Sequence, residues 1–364
     1  MSATDKSGKM EIVSQPALHP SDTTAQRQRF AAPIWTLLLL APFIGEVLSG
    51  STRTSILFVF IPEVMVWGVG ALLCREVVRR WRADGPSLLL LGLALSIAEE
   101  FIIQQTSLAP LPFPGSHPEY GRIWGVNLVY LLFMLGYESV WVVVVPVQVT
   151  ELFFPQRAAQ PWLRMRGAIA ACVFFLMGSR IAWYGWTQQA RPRLHAAPYH
   201  PPLAMIALGL LAIGGLIALA YFVRGFGKQD PENRQPVIPA WIAGVIAFVM
   251  GAAWFQLIAQ EFVPKPVQPF WIAIALGIVW ATLTFILFWW WSSPAAWSEI
   301  HRFASAVGAT LACMAVGYLT IATWPKVDIM GKLIFDGFAL IGFLILANKV
   351  FARRNAAVQI QSTS

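Results

Sequence analysis

Long apolar stretches recur along almost the whole chain and are separated by short polar segments. A stretch of about 17–25 apolar residues can cross the hydrocarbon core of a bilayer as a helix, whereas an open strand would leave its backbone unpaired in lipid. The pattern therefore predicts an all-α, polytopic transmembrane helix bundle of about ten helices. The predicted spans lie near residues 33–50, 56–74, 86–104, 123–149, 166–187, 201–223, 237–258, 268–291, 302–321 and 329–351.

Two of these spans depart from a plain apolar helix. The first is the weakest, because Pro42, Gly45 and Glu46 interrupt it. The fourth is long, so we expect it to be tilted or to be kinked near Pro146, where a backbone donor is missing.

Composition and charge agree with a membrane location and indicate an orientation. Of the 364 residues, 57% are hydrophobic and 12% are charged, which is about half the charged share of a soluble domain. With the N-terminus inside, 18 of the 26 Lys and Arg residues fall in inner segments and seven in outer ones, so both termini are predicted to be cytoplasmic. The net charge of +8 follows from this topology, and no nucleic-acid partner is expected. The basic stretch from Arg75 to Arg82 is expected to lie against anionic headgroups.

The chain is predicted to form one membrane unit with two tails. Residues 1–32 are polar and show no secretory signal, which predicts a disordered cytoplasmic tail. Residues 33–351 form the transmembrane helix bundle, and residues 352–364 form a second cytoplasmic tail. We expect a multi-pass protein of a bacterial inner (plasma) membrane, with the lipid bilayer as its partner. The three cysteines are too scattered for a disulfide framework or a metal knuckle, and no cofactor is indicated.

Polar residues inside the spans identify the candidate site. Glu99 and Glu100 are adjacent within the third span, and a charge at bilayer depth costs at least ~2.5–3.5 kcal/mol. Under the predicted topology, further polar residues share their depth band in the outer half of the membrane. The predicted polar intramembrane site comprises Glu46, Glu63, Glu99, Glu100, Gln104, Glu138, Arg180 and Asp336.

The spacing within the third span suggests how the site is used. Ser96, Glu100 and Gln104 are four residues apart and share one helix face, whereas Glu99 points about 100° away from Glu100. Carboxylates held close together in a low dielectric cannot all ionise, so at least one is expected to hold a proton. Proton coupling, cation binding and acid–base chemistry all use such a group.

Structural roles are the alternative for some of these residues. Arg180 is predicted to be the counter-charge of the acidic residues, and it could equally form a buried ion pair that only fixes helix packing. Lys332 and Asp336 are four residues apart and could satisfy each other. One arginine cannot neutralise every acid in the layer, so a structural role is hardest to assign to Glu99 and Glu100.

The segment Ala98-Glu99-Glu100 resembles the CPBP (CAAX-protease-like) intramembrane metalloproteases. That family has a Glu-Glu pair followed after three residues by Arg, then Phe-x-x-x-His on a following helix, then a later His. Here Gln104 stands in place of the arginine, and Phe133 is followed by Tyr137 in place of the histidine. The resemblance implies a diverged intramembrane peptidase in which Glu100 activates water, but the histidines that would hold zinc are absent.

A second resemblance covers about residues 40–155. The segments 45–52, 74–76, 92–105, 120–127 and 144–155 look like those of an uncharacterised family of bacterial multi-pass membrane proteins. Members of that family tend to have His at the position of Glu138. This resemblance implies a fold and a location but no activity.

Three functional hypotheses follow from these observations. The leading one is binding or translocation of a small solute or cation, with proton coupling through the Glu99–Glu100 pair. The second is a diverged peptidase of CPBP type, although the missing histidines favour a protein that is not an enzyme. The third is a membrane scaffold whose polar layer specifies helix packing. Catalytic and metal-ligating residues cannot be assigned from the sequence.

Overall fold

A computed structural model describes residues 20–113, 115–117, 119–226, 232–233, 235–262 and 266–363. Within these ranges, side chains are described from residue 31 onward, except at residues 260–262, 357–358 and 360–363. The chain divides into two compact units, Met1–Ala32 and Pro33–Ser364, and the site lies within the second. Residues 1–19 of the predicted N-terminal tail lie outside the described residues, and a helix begins at Pro20.

The structure is 77% helical, and strands are almost absent from the described residues, which confirms the all-α prediction. Within it, one shorter apolar helix and nine helices long and apolar enough to cross a membrane match the predicted spans. They are α1 (Ala31–Val47), α2 (Thr54–Trp81), α3 (Gly85–Ile103), α4 (Leu128–Phe153), α5 (Met165–Arg193), α6 (Leu203–Gly225), α7 (Ala240–Ala259), α8 (Phe270–Ser292), α9 (Glu299–Gly317) and α10 (Lys326–Ala356). Beyond Ala356 the last helix continues to Thr363.

The fourth span begins five residues later than predicted, because a small hairpin precedes it. Strands β1 (Arg122–Ile123) and β2 (Val126–Asn127) pair antiparallel, with Arg122 opposite Asn127. Trp124 and Gly125 between them both have positive φ, as a two-residue hairpin turn requires. The Asn127 side chain then accepts a hydrogen bond from the Tyr130 N–H at 2.9 Å, which caps α4.

An aromatic core surrounds α4. Phe133, Tyr137 and Trp141 are four residues apart and stack along one helix face, with ring centroids 5.5 and 5.8 Å apart. Phe255 of α7 packs against all three rings. The Trp141 Nε1–H donates to the carbonyl oxygen of Ala309 in α9 at 2.7 Å, so this face of α4 is fixed against two other helices.

Glycines allow close helix approach at two contacts. A Cβ added at Gly92 of α3 would lie 3.1 Å from Ser139 of α4, the residue that follows Glu138. At the contact between α7 and α9, Gly308 faces the backbone carbonyl of Gly244 with no room for a side chain. Small residues at helix interfaces permit this packing in membranes. The first contact brings the acidic residues of α3 and α4 toward each other.

Arg75 anchors α2 to the segment between α4 and α5. Its side chain is completely buried, with Nε 3.1 Å from Glu151 and the guanidinium 3.3 Å from the centre of the Trp162 ring. It also donates to Glu76 and to the backbone carbonyls of residues 157, 158 and 160. The expectation that this residue contacts anionic headgroups is therefore wrong, because protein acceptors surround its guanidinium.

Candidate intramembrane acidic site

Widened, π-helical turns carry the predicted glutamates. The positions are Glu46 within Phe43–Val47 of α1, Glu63 directly before Val64–Gly68 of α2, Glu99 and Glu100 at the start of Glu99–Ile103 in α3, and Glu138 at the start of Glu138–Val144 in α4. Three of these turns lie within two residues of a proline (Pro42, Pro62 or Pro146), which cannot donate a helix hydrogen bond. Such turns are rare and frequent at functional sites. We call the five glutamates the acidic cluster.

Glu99 and Glu138 form the interior of the acidic cluster. Their exposed fractions are 1% and 0%, and both oxygens of each carboxyl group are buried with no hydrogen-bond partner among the described residues. Glu138 lies close enough to Glu99, Glu100 and Glu46 for their charges to interact. These two buried carboxyl groups therefore have four oxygen atoms without a hydrogen-bond partner among the described residues, and the nearby hydroxyl group of Ser96 donates to the Met134 carbonyl instead.

Glu100 differs from these two because hydroxyl groups surround it. Thr106 Oγ1 donates to its carboxyl group at 2.8 Å, and Ser107 Oγ donates at 2.5 Å. Gln105 has a φ of 62°, a left-handed conformation that turns the chain back toward α3 after it ends. Tyr130 of α4 lies near Glu100, Glu138 and Thr106. Glu100 is therefore held as a hydrogen-bond acceptor at one edge of the cluster.

Glu46 and Glu63 form the opposite edge. Both are half-buried, and their carboxyl groups are close enough to interact electrostatically. The Thr52 hydroxyl donates to Glu63 Oε1, whereas Glu63 Oε2 is buried without a partner among the described side chains. Glu46 also interacts with Glu99. The structure thus brings together the five glutamates of the predicted site.

Arg180 is not the counter-charge of this cluster. It is exposed on α5, and its guanidinium lies over the rings of Trp183 and Tyr184, with centroid distances of 4.4 and 5.7 Å. Among the described residues, no carboxylate lies within ion-pair distance of it. The predicted role as counter-charge is therefore wrong, because the side chain lies beside these two aromatic rings and not beside the acids.

Asp336 belongs to a separate, neutralised group. Lys332 Nζ lies 2.6 Å from both of its carboxylate oxygens, and the Tyr318 hydroxyl donates to it at 2.7 Å. Both members of this ion pair are buried. This arrangement agrees with the alternative that the two residues satisfy each other.

Gln104 is half-buried directly after α3, and the expected face of Ser96, Glu100 and Gln104 is not continuous. The π-helical turn changes the register between them, and Ser96 donates to the carbonyl oxygen of Met134. Tyr137, where the CPBP family has histidine, donates its hydroxyl to the Gly45 carbonyl of α1. The position serves helix packing here.

Sequence reasoning missed the hydroxyl groups of Thr52, Thr106, Ser107 and Tyr130. They lie in predicted connections or among apolar residues, and the only sequence signal was their proximity to the acidic residues.

An unpaired buried carboxyl group can hold a proton or a small cation. Among the residues that the structure describes, no three His, Cys, Asp or Glu side chains are arranged to hold a metal ion. Comparison of the chain with protein-family models, curated proteins and solved structures finds no match.

Proposed function

We propose that this protein binds and translocates a small solute or cation across a membrane, with proton coupling through the acidic cluster. The observation that carries the proposal is the pair of Glu99 and Glu138, whose four carboxyl oxygens are buried without a partner among the described residues. A carboxylate left charged at this depth costs at least ~2.5–3.5 kcal/mol. A bound proton or cation removes that cost.

The same pair favours transport over a scaffold. In a scaffold we expect every buried charge to be neutralised, as Lys332 neutralises Asp336 and as Arg75 and Arg79 neutralise Glu151. Glu99 and Glu138 interact instead with other carboxyl groups. Carboxyl groups held close together in a low dielectric cannot all ionise. Such groups inside a membrane are typical of sites that bind protons or ions.

Orientation and location are part of the proposal. The excess of Lys and Arg in alternate segments supports cytoplasmic termini in a bacterial inner membrane. In that orientation the segment between α1 and α2 and the segment between α3 and α4 face outward. The acidic cluster then lies in the outer half of the membrane.

Reconstitution tests the proposal. Purified protein is inserted into vesicles of phosphatidylethanolamine and phosphatidylglycerol that contain a pH-sensitive dye, and a pH gradient is imposed. Its dissipation is followed with Na⁺, K⁺, Ca²⁺, amino acids or sugars outside. We expect at least one of these probes to accelerate dissipation in the wild type and none to do so in Glu99→Gln/Glu138→Gln.

The matched control is Glu119→Gln, which removes an exposed carboxyl group from the segment between α3 and α4. It should behave as the wild type. Equal dissipation by the wild type and the double variant would show that the acidic cluster has no part in the flux. No dissipation above that of empty vesicles with any probe would contradict coupled translocation of these solutes.

A further inference from the structure

An open groove runs between α7 and α9, and we call it the α7–α9 groove. Its volume is about 380 Å³, and every residue that lines it is apolar. Its two walls are formed by Trp241, Val245 and Phe248 of α7 and by Phe303, Val307 and Leu311 of α9. A groove without polar lining residues is suited to an apolar occupant.

Small residues form the floor of the α7–α9 groove. Gly244, Ala304 and Gly308 complete its lining. A Cβ added at Gly308 would collide with the Gly244 carbonyl oxygen, so the two backbones meet there without intervening side chains. The large side chains of the walls therefore stand beside a floor of backbone and one methyl group.

The α7–α9 groove faces away from the core of the bundle. Trp241, Val245 and Phe248 are 69%, 52% and 37% exposed. Both walls belong to helices that are long and apolar enough to cross a membrane. Exposed apolar side chains on such helices contact lipid in a bilayer, so the groove opens toward the hydrocarbon.

The dimensions of the groove favour an acyl chain over a helix. Its walls follow residues 241–248 and 303–311, which correspond to a length of about 10–12 Å at the rise of an α-helix. A helix with its side chains is about 10–12 Å wide, so a piece of this length fills roughly 900 Å³. That is more than twice the volume of the groove, whereas a single unbranched acyl chain is much thinner.

Charged groups lie at the end of the groove where both helices begin. His301 Nε2 lies 3.0 Å from the Ile238 carbonyl oxygen, which holds the start of α9 against the start of α7. Arg353 of α10 lies 2.8 Å from Glu299, the first residue of α9. The next residue, Arg354, is exposed, and no carboxylate of the described residues lies within ion-pair distance of it. This end therefore has a positive charge that no protein group neutralises.

We propose that the α7–α9 groove binds one acyl chain of an anionic phospholipid, with the headgroup at the end where Trp241 and Arg354 lie. Tryptophan is enriched where the hydrocarbon meets the headgroups, and Trp241 is the second residue of α7. Arg354 supplies a positive charge that attracts an anionic headgroup. In the proposed orientation this end lies at the cytoplasmic leaflet. Lipid binding here goes beyond the proposed function and does not depend on the acidic cluster.

Native mass spectrometry of the full-length protein tests this binding. Purified protein is delipidated in detergent, and phosphatidylglycerol or phosphatidylethanolamine with the same oleoyl chains is titrated into it. We expect one phosphatidylglycerol to bind more tightly than any phosphatidylethanolamine. Val245→Trp and Val307→Trp each place an indole ring in the groove and should remove this tight binding. Arg354→Gln should weaken it about fivefold, the usual contribution of one basic residue near an anionic lipid surface.

Two variants serve as matched controls. Leu211→Trp adds an indole ring at a 74% exposed position of α6, and Arg166→Gln removes an exposed basic residue from the start of α5. Both should bind phosphatidylglycerol as the wild type does. Thermal unfolding checks that each variant is folded, and either groove variant tests the site if the other does not fold.

The outcomes distinguish the possible occupants of the groove. Loss of tight binding in the groove variants, with wild-type binding in Leu211→Trp, supports the site. Tight binding in both groove variants overturns it, because the lipid then lies elsewhere. Equal affinities for the two lipids overturn the assignment of an anionic lipid, and wild-type affinity in Arg354→Gln overturns the placement of the headgroup. A lipid-free dimer that Val245→Trp converts to a monomer would identify a second copy of this chain as the occupant and overturn the proposal.

Discussion

Removal of the Arg75 side chain should be among the most damaging single changes in the protein. All five N–H donors of a guanidinium can be used, and Arg75 makes five hydrogen bonds. Three of the acceptors are backbone carbonyls of the segment between α4 and α5. Arg75→Ala also removes the side chain that packs against Trp162.

The expected magnitude follows from what the substitution leaves behind. Glu151 keeps Arg79 at 2.7 Å and Arg302 at 3.4 Å, so its charge stays paired. The backbone carbonyls lose a buried donor, and each unsatisfied buried group costs about 1–3 kcal/mol. Three carbonyls lose this donor, so we expect the free energy of unfolding to fall by about 3 kcal/mol or more.

Arg80 supplies the matched control one helical turn further along α2. Its side chain is 39% exposed, and it lies 3.7 Å from Glu76 and donates to the carbonyl oxygen of Leu163. Exposed ion pairs contribute about 0–1 kcal/mol, so Arg80→Ala should cost no more than that.

The assay is unfolding in mixed micelles with increasing sodium dodecyl sulfate, followed by circular dichroism. The free energies of unfolding of the wild type, Arg75→Ala and Arg80→Ala are compared under one set of conditions. Equal, small losses for both variants would refute the reasoning, because they would show that the buried guanidinium network does not anchor α2.

Three further substitutions test other parts of the structure. Glu100→Gln should abolish coupled dissipation of a pH gradient in reconstituted vesicles while the elution volume on size exclusion stays unchanged, since Gln keeps an acceptor but cannot exchange a proton. Lys332→Met leaves the buried Asp336 carboxylate without its cation and should lower the free energy of unfolding by about 3–5 kcal/mol in the micelle assay. Adding Asp336→Asn should recover much of that loss, and no recovery would contradict the pairing. Gly308→Ala places a methyl group against a backbone carbonyl of α7 and should cost about 1–3 kcal/mol, whereas Gly214→Ala, with open space around it, should not destabilise the protein; equal effects would contradict the packing.

Helix number and position could be predicted from the sequence because the cost of unpaired backbone in lipid leaves little choice of structure. The α4 boundary was missed because residues 123–127 read as part of an apolar stretch, while a two-residue turn with positive φ makes this region a hairpin. Gly125 is a usual residue of such a turn, but Trp124 at the first turn position is not, so the signal was incomplete.

The acidic cluster was predicted only from the expected depth of each residue in the membrane. That depth does not show the direction in which a side chain points. Glu99, Glu100 and Glu138 lie close to one another, whereas Arg180 lies over the ring of Trp183. The helix that carries Arg180 is apolar on most sides, so its pattern does not reveal which face is inward.

The sequence also did not predict the π-helical turns or the hydroxyl groups around Glu100, and the reason there is different. A π-helical turn depends on which backbone donors find acceptors in the packed bundle, and a nearby proline is only a partial signal. Ser107 donates to Glu100 because Gln105 has a left-handed conformation. Glycine or asparagine would indicate such a conformation in the sequence, but glutamine does not. Arg75 was likewise misassigned because four of its five acceptors lie more than 70 residues away in sequence.

The protonation state of Glu99 and Glu138 decides whether the acidic cluster can take part in proton coupling. The deciding measurement is the infrared difference spectrum between the wild type and Glu99→Gln/Glu138→Gln, at neutral pH in buffer freed of metal ions by chelation. We predict that the wild type has a carboxylic C=O band that the double variant lacks, because unpaired carboxyl groups at this depth must be neutralised. Loss of carboxylate bands alone, in protein that holds no cation, would show that the pair stays charged, and would contradict the account.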